Sequence, residues 1–178
     1  QKEGVVEKAT ELTNSLKNEF RTEIDIRDNY TPGYKFNYWE MKGVPIRLEI
    51  GPRDIENNQC VLVRRDTLEK EIVSLDNVNA RIAELLEEIQ KNMFNMAKEN
   101  TENKTTIAKN LEEFENNINT NQGYVKTMWC GSAECEEKIH NLTGAKSRCM
   151  PFNQEHISDT CVCCGKPATK MVVWGRQY

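Results

Sequence analysis

Apolar side chains recur every three or four residues in two long stretches of the first hundred residues, which places them on one face of a helix. The first stretch covers residues 5–20, with Val5, Leu12 and Leu16 among its apolar positions. The second stretch has Val78, Ile82, Leu85, Ile89, Met93 and Met96 at the same spacing. Both stretches are predicted to form amphipathic helices that pack on a core.

Four shorter segments alternate between apolar and polar residues or form brief apolar runs, as strands with one buried face do. The predicted strands cover residues 22–26, 44–50, 60–65 and 71–75, and a short helix is predicted over residues 34–41, after Pro32 and Gly33. A helix followed by a strand is typical of the second half of a βαβ unit. A first strand is therefore expected just before Gln1.

A polar stretch, KENTENKT at residues 98–105, separates these elements from a second set. The second set comprises predicted helices over 107–118 and 133–142 and predicted strands over 123–129, 145–152 and 169–175. The fold class is therefore expected to be α/β. A mixed β-sheet with flanking helices, lacking its first strand, would form domain 1–99, and a small α+β domain would form 100–178.

Composition excludes several classes of function. The 178 residues are 38% hydrophobic and 29% charged, with a formal net charge of -4. An acidic chain is not a general nucleic-acid binder, so any such contact must come from a local patch. No apolar run approaches the roughly 20 residues of a membrane helix. The first residues lack the apolar core of a secretory signal, so we expect a cytoplasmic location with no membrane partner.

Four cysteines form two close pairs, Cys130 with Cys135 and Cys161 with Cys164. Two short loops that each supply two thiolates suit a tetrahedral zinc ion, and a site with four thiolates has no open position for catalysis. Disulfides would require an oxidising compartment, for which the sequence has no signal. A structural zinc site is therefore predicted.

The remaining cysteines and the histidines are less suited to this role. Cys163 lies inside the second pair and is an alternative ligand, although the glycine that follows Cys164 favours the 161 and 164 pair. Cys60 and Cys149 lie in strand-like runs and are predicted to be small core residues. His140 and His156 lack pair spacing and are expected at the surface.

The densest polar cluster outside the cysteines lies between residues 39 and 54. Between Arg27 and Lys70 there are eight basic and seven acidic residues, a net of +1 that leaves -5 for the rest of the chain. Reading base edges needs both donors and acceptors, whereas tracking phosphates needs cations alone. The alternative is an ion-pair network on the open face of a sheet that only meets water.

The segment WEMKGVPIRLEIGPRDIENNQCVLVRRDT closely resembles the anticodon-binding domain of prolyl-tRNA synthetase, a class II aminoacyl-tRNA synthetase. The segments WCG, AKSRCMPF, CVCCGKPA and WGRQY resemble the zinc-binding C-terminal domain of the archaeal and eukaryotic-like form of that enzyme. The resemblance covers nearly the whole chain in the family's order. It implies a class IIa anticodon-binding fold followed by a zinc domain, as a C-terminal fragment without the catalytic domain.

The resemblance also implies roles for individual residues. The readers of the two guanines of the proline anticodon fall on Glu40, Arg47, Arg53 and Asp54, and Arg53 stands where some members have lysine. The zinc ligands match Cys130, Cys135, Cys161 and Cys164, with Cys163 in place of an apolar residue. The terminal Tyr178 matches a tyrosine that reaches toward the catalytic active site.

The implied partners are those of a full-length proline-tRNA ligase. They are proline tRNA, a second copy of the enzyme in a homodimer, and, through the missing domain, proline and ATP with Mg²⁺. A free-standing RNA-binding or scaffold protein with the same two domains is the alternative of a different class. Another class II synthetase, for threonine or glycine, is not expected to carry this zinc tail.

Overall fold

The computed structural model describes residues 2–177 and divides the chain into two compact units, Gln1–Asn95 and Met96–Tyr178. Helices and strands form a mixed α/β fold, which confirms the predicted class. In chain order they are α1 Lys2–Leu16, α2 Pro32–Met41, β1 Ile46–Glu49, α3 Pro52–Glu56, β2 Gln59–Arg64, β3 Lys70–Ser74, α4 Val78–Asn103, β4 Thr105–Ile107, α5 Leu111–Thr120, β5 Tyr124–Trp129, α6 Ala133–Thr143, β6 Ala145–Cys149 and β7 Lys170–Arg176.

In the first unit, β1, β2 and β3 form an antiparallel sheet in that order. The buried core comprises Leu16 of α1, Cys60 and Leu62 of β2, and Val78, Ile82 and Leu85 of α4. Each fully buried leucine contributes about 2 kcal/mol relative to an exposed one. The two predicted helices and the core position of Cys60 are therefore confirmed. The predicted apolar face of α4 is buried only as far as Ile89, because Met93 and Met96 are 46% and 58% exposed.

The strand predicted over residues 22–26 is wrong. Residues 21–27 are irregular and pair with no strand among residues 2–177. Thr22 and Ile24 are half-buried and Glu23 is exposed, as the alternation predicts, but Ile26 is 58% exposed and the side chain of Asp25 is only 11% exposed, so the alternation does not hold at its end. A strand also needs a partner for its backbone N–H and C=O groups, and alternation carries no information about that partner.

Two short elements were not predicted. The helix α3 begins at Pro52, whose fixed φ suits the first helical position, and the carboxylate of Asp54 accepts a hydrogen bond from the Gly51 N–H at 2.8 Å. The strand β4 pairs in parallel with β5 just after α4 ends at Asn103. The polar stretch 98–103 is therefore helical, because it contains neither glycine nor proline to stop the helix.

In the second unit the sheet order is β4-β5-β7-β6, with β4 parallel to β5 and the other pairs antiparallel. The buried core includes Phe114, Ile118, Val125, Ile139, Val172 and Trp174. The indole N–H of Trp174 donates to the Thr127 hydroxyl at 2.8 Å, so both buried polar groups are satisfied.

Glycine is required just before β5, where the chain passes close to the residue that precedes β4. A Cβ atom at Gly123 would lie 1.9 Å from the backbone oxygen of Lys104. The strand predicted over residues 145–152 is shorter in the structure, because β6 ends at Cys149 after an irregularity between Ser147 and Cys149. The irregularity leaves Cys149 exposed, so its predicted core position is wrong.

No helix among residues 2–177 combines the length and apolar character needed to cross a membrane.

A buried carboxylate links β2 to α4 in the first unit. The side chain of Asp66 is 4% exposed and accepts two hydrogen bonds from Arg64, at 3.1 and 2.8 Å, and one from Asn92, at 2.8 Å. The bonds from Arg64 above all, against an opposing effect of burial, lower the pKa of Asp66 from 3.8 to about 2.

We expect Asp66→Asn to lower the free energy of unfolding by about 2 kcal/mol at neutral pH, because the folded state stabilises the ionised carboxylate. The folded-state pKa lies below the unfolded value, so this stabilisation is present above about pH 4 and is lost as the pH falls through about 2. The difference between the urea midpoints of wild type and variant should therefore disappear as the pH is lowered from about 4 to about 2. Asp28→Asn, in an exposed turn, is the control, and a gap that does not change with pH would contradict the assignment.

Candidate nucleic-acid interface and metal centre

The sheet of the first unit has a second face, opposite the core. Because successive side chains of a strand point to opposite faces, the face away from Cys60 and Leu62 can be read from the strand register. We call it the outer face, and it comprises Arg47, Glu49, Val61, Val63, Lys70 and Ile72. Ile72 is 68% exposed at its β3 edge. The charged side chains of the outer face are therefore Arg47 and Glu49 on β1 and Lys70 on β3.

Arg47 is the centre of an ion-pair network on the outer face. Its Nε donates to Glu49 Oε1 at 2.9 Å, and its Nη1 donates to Glu40 of α2. Lys70 lies 3.7 Å from the same Glu49 oxygen, and the guanidinium carbon of Arg47 lies 4.0 Å from the centre of the Phe36 ring. These contacts fix one orientation of the guanidinium before any ligand arrives.

The network is neither buried nor freely solvated. The side chains of Arg47, Glu49 and Glu40 are 18%, 25% and 31% exposed. Partial burial strengthens each contact relative to a surface pair, and the exposed remainder keeps some donors and acceptors available to a ligand. Of the predicted site residues, Glu40 and Arg47 are therefore in direct contact, with the Arg47 guanidinium as donor and the Glu40 carboxylate as acceptor.

The other predicted pair, Arg53 and Asp54, lies on α3. Asp54 accepts from the Gly51 N–H and, at 3.3 Å, from the side chain of Gln59, so both of its oxygens have protein partners. Arg53 is exposed, and its side chain forms no ion pair with the residues that the structure describes. Among those residues no hydrogen bond or ion pair joins this pair to Glu40 and Arg47.

The sequence interpretation missed three participants in the network: Phe36, Glu49 and Lys70. Glu49 follows Arg47 by two residues on a strand, so alternation alone placed it on the same face. Phe36 precedes Glu40 by one helical turn, which is also a signal in the sequence. Lys70 could be found only from the register of β2 with β3.

The second candidate site is formed by the four predicted cysteines. Cys130 follows β5, Cys135 lies in the first turn of α6, and Cys161 and Cys164 lie in the turn before β7. Their sulfur atoms all lie within 4.8 Å of one another. The Cys130 to Cys135 and Cys130 to Cys164 sulfur distances are 3.7 and 3.8 Å.

These distances match a metal cage. A tetrahedron with metal–sulfur bonds of about 2.3 Å has sulfur–sulfur edges of about 3.8 Å. Gly131 and Gly165, with φ of 89° and 71°, allow the two loops to turn at these positions. The residues present therefore fit a tetrahedral divalent ion, and the all-sulfur set is compatible with zinc.

The protein environment acts differently on the individual thiols. Burial, followed by the neighbouring thiols of Cys164 and Cys130, raises the pKa of Cys135. Burial opposes ionisation of Cys161 as well, but the backbone N–H groups of Cys164, Cys163 and Cys130 together lower the pKa of that thiol to about 7. A divalent cation among the sulfurs would favour the thiolate form of all four.

The remaining candidates lie outside this cluster. Cys163 is half-buried beside the cluster, with its thiol in contact with that of Cys135, but its sulfur is not among the four that lie within 4.8 Å of one another. His140 is exposed, and the exposed His156 lies 3.1 Å from Asp159. The expected surface position of both histidines is confirmed. Tyr178 lies outside the described residues.

Comparison with protein families identifies the two units separately. Residues 1–85 match the family described as "Anticodon binding domain", and residues 111–178 match "Prolyl-tRNA synthetase, C-terminal". The first unit is therefore an anticodon-binding domain in class. With the relatives described next, these matches confirm the resemblance to prolyl-tRNA synthetase seen in the sequence.

The relatives are named as proline-tRNA ligases. The chain is 54% identical over 177 residues to the proline-tRNA ligase of Clostridium botulinum, and equally identical to that of Ruminiclostridium cellulolyticum and to proline-tRNA ligase 2 of Bacillus cereus. Each alignment covers 99% of this chain and 37% of the relative. The chain thus spans just over a third of the length of these relatives.

Proposed function

We propose that this chain is the tRNA-recognition part of a proline-tRNA ligase. In this proposal its first unit reads the proline anticodon. A catalytic domain elsewhere in the longer protein activates proline with ATP and Mg²⁺ and transfers it to tRNA. The observation that supports this role most directly is the preoriented Arg47 with Glu40 and Glu49, in the unit that matches an anticodon-binding domain.

The donor and the acceptor of this network, a guanidinium and a carboxylate, suit the two edges of guanine. An arginine can donate to O6 and N7 of one guanine, and a carboxylate can accept from N1 and N2 on the Watson-Crick edge. We assign these roles to Arg47 and Glu40, and a second guanine to Arg53 and Asp54. Asp54 already accepts two hydrogen bonds, but each carboxylate oxygen has a second lone pair with which to accept from a base.

For the second unit we propose structural zinc held by Cys130, Cys135, Cys161 and Cys164. Four thiolates complete the coordination of the ion, so it would stabilise the fold of a small core and take no part in the reaction. We assign the anticodon-binding domain to residues 1–99 and the zinc domain to residues 100–178. The wider proposal includes proline tRNA as the partner, a homodimeric full-length enzyme and a cytoplasmic location.

The proposal is tested by binding of the chain to an anticodon stem-loop RNA with modified guanines. Inosine lacks the N2 amino group and tests the carboxylate contacts, whereas 7-deazaguanine lacks N7 and tests the arginine contacts. Each modification removes one of the two hydrogen bonds of a bidentate contact and should weaken binding about 10- to 150-fold, since a hydrogen bond to a charged group contributes about 1.5 to 3 kcal/mol. Fluorescence anisotropy at fixed salt measures the affinity. Equal affinity for all these RNAs would contradict anticodon reading.

A further inference from the structure

A second set of side chains in the first unit, away from the outer face, combines aromatic rings with cations. Tyr30 and Tyr34 are stacked, with ring centres 4.4 Å apart and planes 10° apart. The guanidinium of Arg27 lies 4.8 Å from the Tyr30 ring centre and 4.7 Å from that of Tyr38, and Lys42 lies 5.5 Å from the Tyr38 ring. We call these five residues the tyrosine platform.

A buried carboxylate holds the platform in place. Asp25, whose side chain is 11% exposed, accepts from Nε and Nη2 of Arg27 at 2.9 and 2.6 Å. It also accepts from the indole N–H of Trp39 at 2.9 Å, and Lys35 donates to its backbone oxygen at 3.2 Å. The guanidinium between two tyrosine rings is therefore fixed, and with it the ring positions.

The platform nevertheless exposes its rings to solvent. Tyr30 is 38% exposed and Tyr34 is 49% exposed, although stacked aromatic rings are apolar surface that folding usually buries. Lys42 is exposed and forms no ion pair within residues 2–177, so its charge is available to a ligand. An aromatic surface with an adjacent free cation suits a nucleobase that stacks while its phosphate meets the ammonium group.

Helix geometry places the platform next to the proposed anticodon site. Tyr34 and Tyr38 lie one turn apart on α2, while Phe36 and Glu40 lie one turn apart on the opposite side, since two residues rotate by about 200°. A helix with its side chains is about 10 Å across. A short single-stranded segment can span that distance from a base at Arg47.

From this arrangement we propose that the tyrosine platform stacks an unpaired base of the anticodon loop that flanks the two guanines. The occupant is single-stranded RNA, because the rings are interleaved with cations and two of them, Tyr34 and Tyr38, lie on the same helix as Glu40. The proposal rests on the proposed function and extends it, since the stacking contact adds affinity at a position where no base edge is read. Stacking tolerates any base, so sequence should matter little there.

The test compares Tyr34→Ala, Tyr34→Leu and Tyr34→Phe in the full 178-residue chain. Each variant is titrated with the anticodon stem-loop RNA, intact or abasic at the nucleotide on either side of the guanine pair. Loss of the ring should weaken binding of intact RNA about 5- to 150-fold in Tyr34→Ala. Tyr34→Leu should also bind more weakly than the wild type, because leucine keeps an apolar side chain but has no ring on which a base can stack. Phenylalanine should retain the affinity. On the abasic RNA that lacks the stacked base, Tyr34→Ala should bind as the wild type does.

The outcomes separate this proposal from the previous one. If Tyr34→Ala binds intact RNA as tightly as the wild type does and still discriminates against modified guanines, the platform proposal is overturned and anticodon reading is unaffected. Equal weakening on intact and both abasic RNAs would also overturn it. A third outcome is that the wild type does not discriminate between normal and modified guanines, while Tyr34→Ala weakens binding only when one particular base is present. That result would support stacking and contradict anticodon reading. Unchanged urea midpoints confirm that the variants remain folded.

Discussion

Replacement of both Cys130 and Cys135 by serine is expected to abolish zinc binding and to unfold the second unit. Structural zinc contributes an apparent binding free energy of roughly 10 to 16 kcal/mol in small zinc domains, which equals or exceeds the whole stability of a typical domain. Two of the four sulfurs would be absent, and a hydroxyl is a poor ligand for zinc. Native mass spectrometry should show one zinc per chain in the wild type and none in the variant.

Hydrogen exchange locates the effect. Amides of β5 and β7 should lose protection in the double variant, because these central strands pack next to the cysteine cluster through Met128 and Met171. Cys149→Ser is the matched control, since that cysteine is exposed and lies outside the cluster, and it should retain zinc and protection. A metal-free wild type with full thermal stability would exclude the structural zinc.

Arg47→Ala is expected to have the largest effect on RNA recognition. In the full-length ligase it should lower charging of proline tRNA about 5- to 150-fold and leave ATP-dependent activation of proline nearly unchanged. The guanidinium is the donor of the network, and its removal also leaves Glu40 and Glu49 without their shared partner. Aminoacylation and pyrophosphate exchange measure the two activities separately.

Two matched variants distinguish recognition from packing. Arg47→Lys keeps the charge but cannot donate in a planar fork or stack on Phe36, so it should recover only part of the lost charging. Arg65→Ala removes an exposed arginine close to the same sheet and should leave charging unchanged. Equal loss of charging and proline activation in Arg47→Ala would show instead that the arginine supports the structure of the enzyme.

Most regular elements follow from local patterns, and the exceptions have a common cause. Helical periodicity predicted α1, α4 and α5, since an amphipathic helix satisfies its own backbone and needs only a surface for its apolar face. Residues 22–26 carry a strand pattern, yet the described part of the chain offers them no partner. Conversely, β4 is only three residues long and exists through its pairing with β5. Local patterns do not specify partners that are distant in sequence.

The candidate sites show the same division. The two cysteine pairs were evident from spacing, because each pair is held by one short loop. The distinction between Cys163 and its neighbours required the turn before β7, which directs Cys161 and Cys164 to the cluster and packs Cys163 against the core. Likewise, Arg47 and Glu40 were identified by resemblance, whereas Lys70 and the set of donors around Asp25 became visible only in three dimensions.

Sequence alone determined the resemblance to a family, the fold class, most of the helices and the residue types at both candidate sites, because these depend on chemistry and spacing along the chain. Tertiary structure decided which charges touch, which carboxylates already have partners, and where aromatic rings stay exposed. Such contacts join residues far apart in the chain, and their geometry depends on strand register and helix rotation, which no single segment encodes.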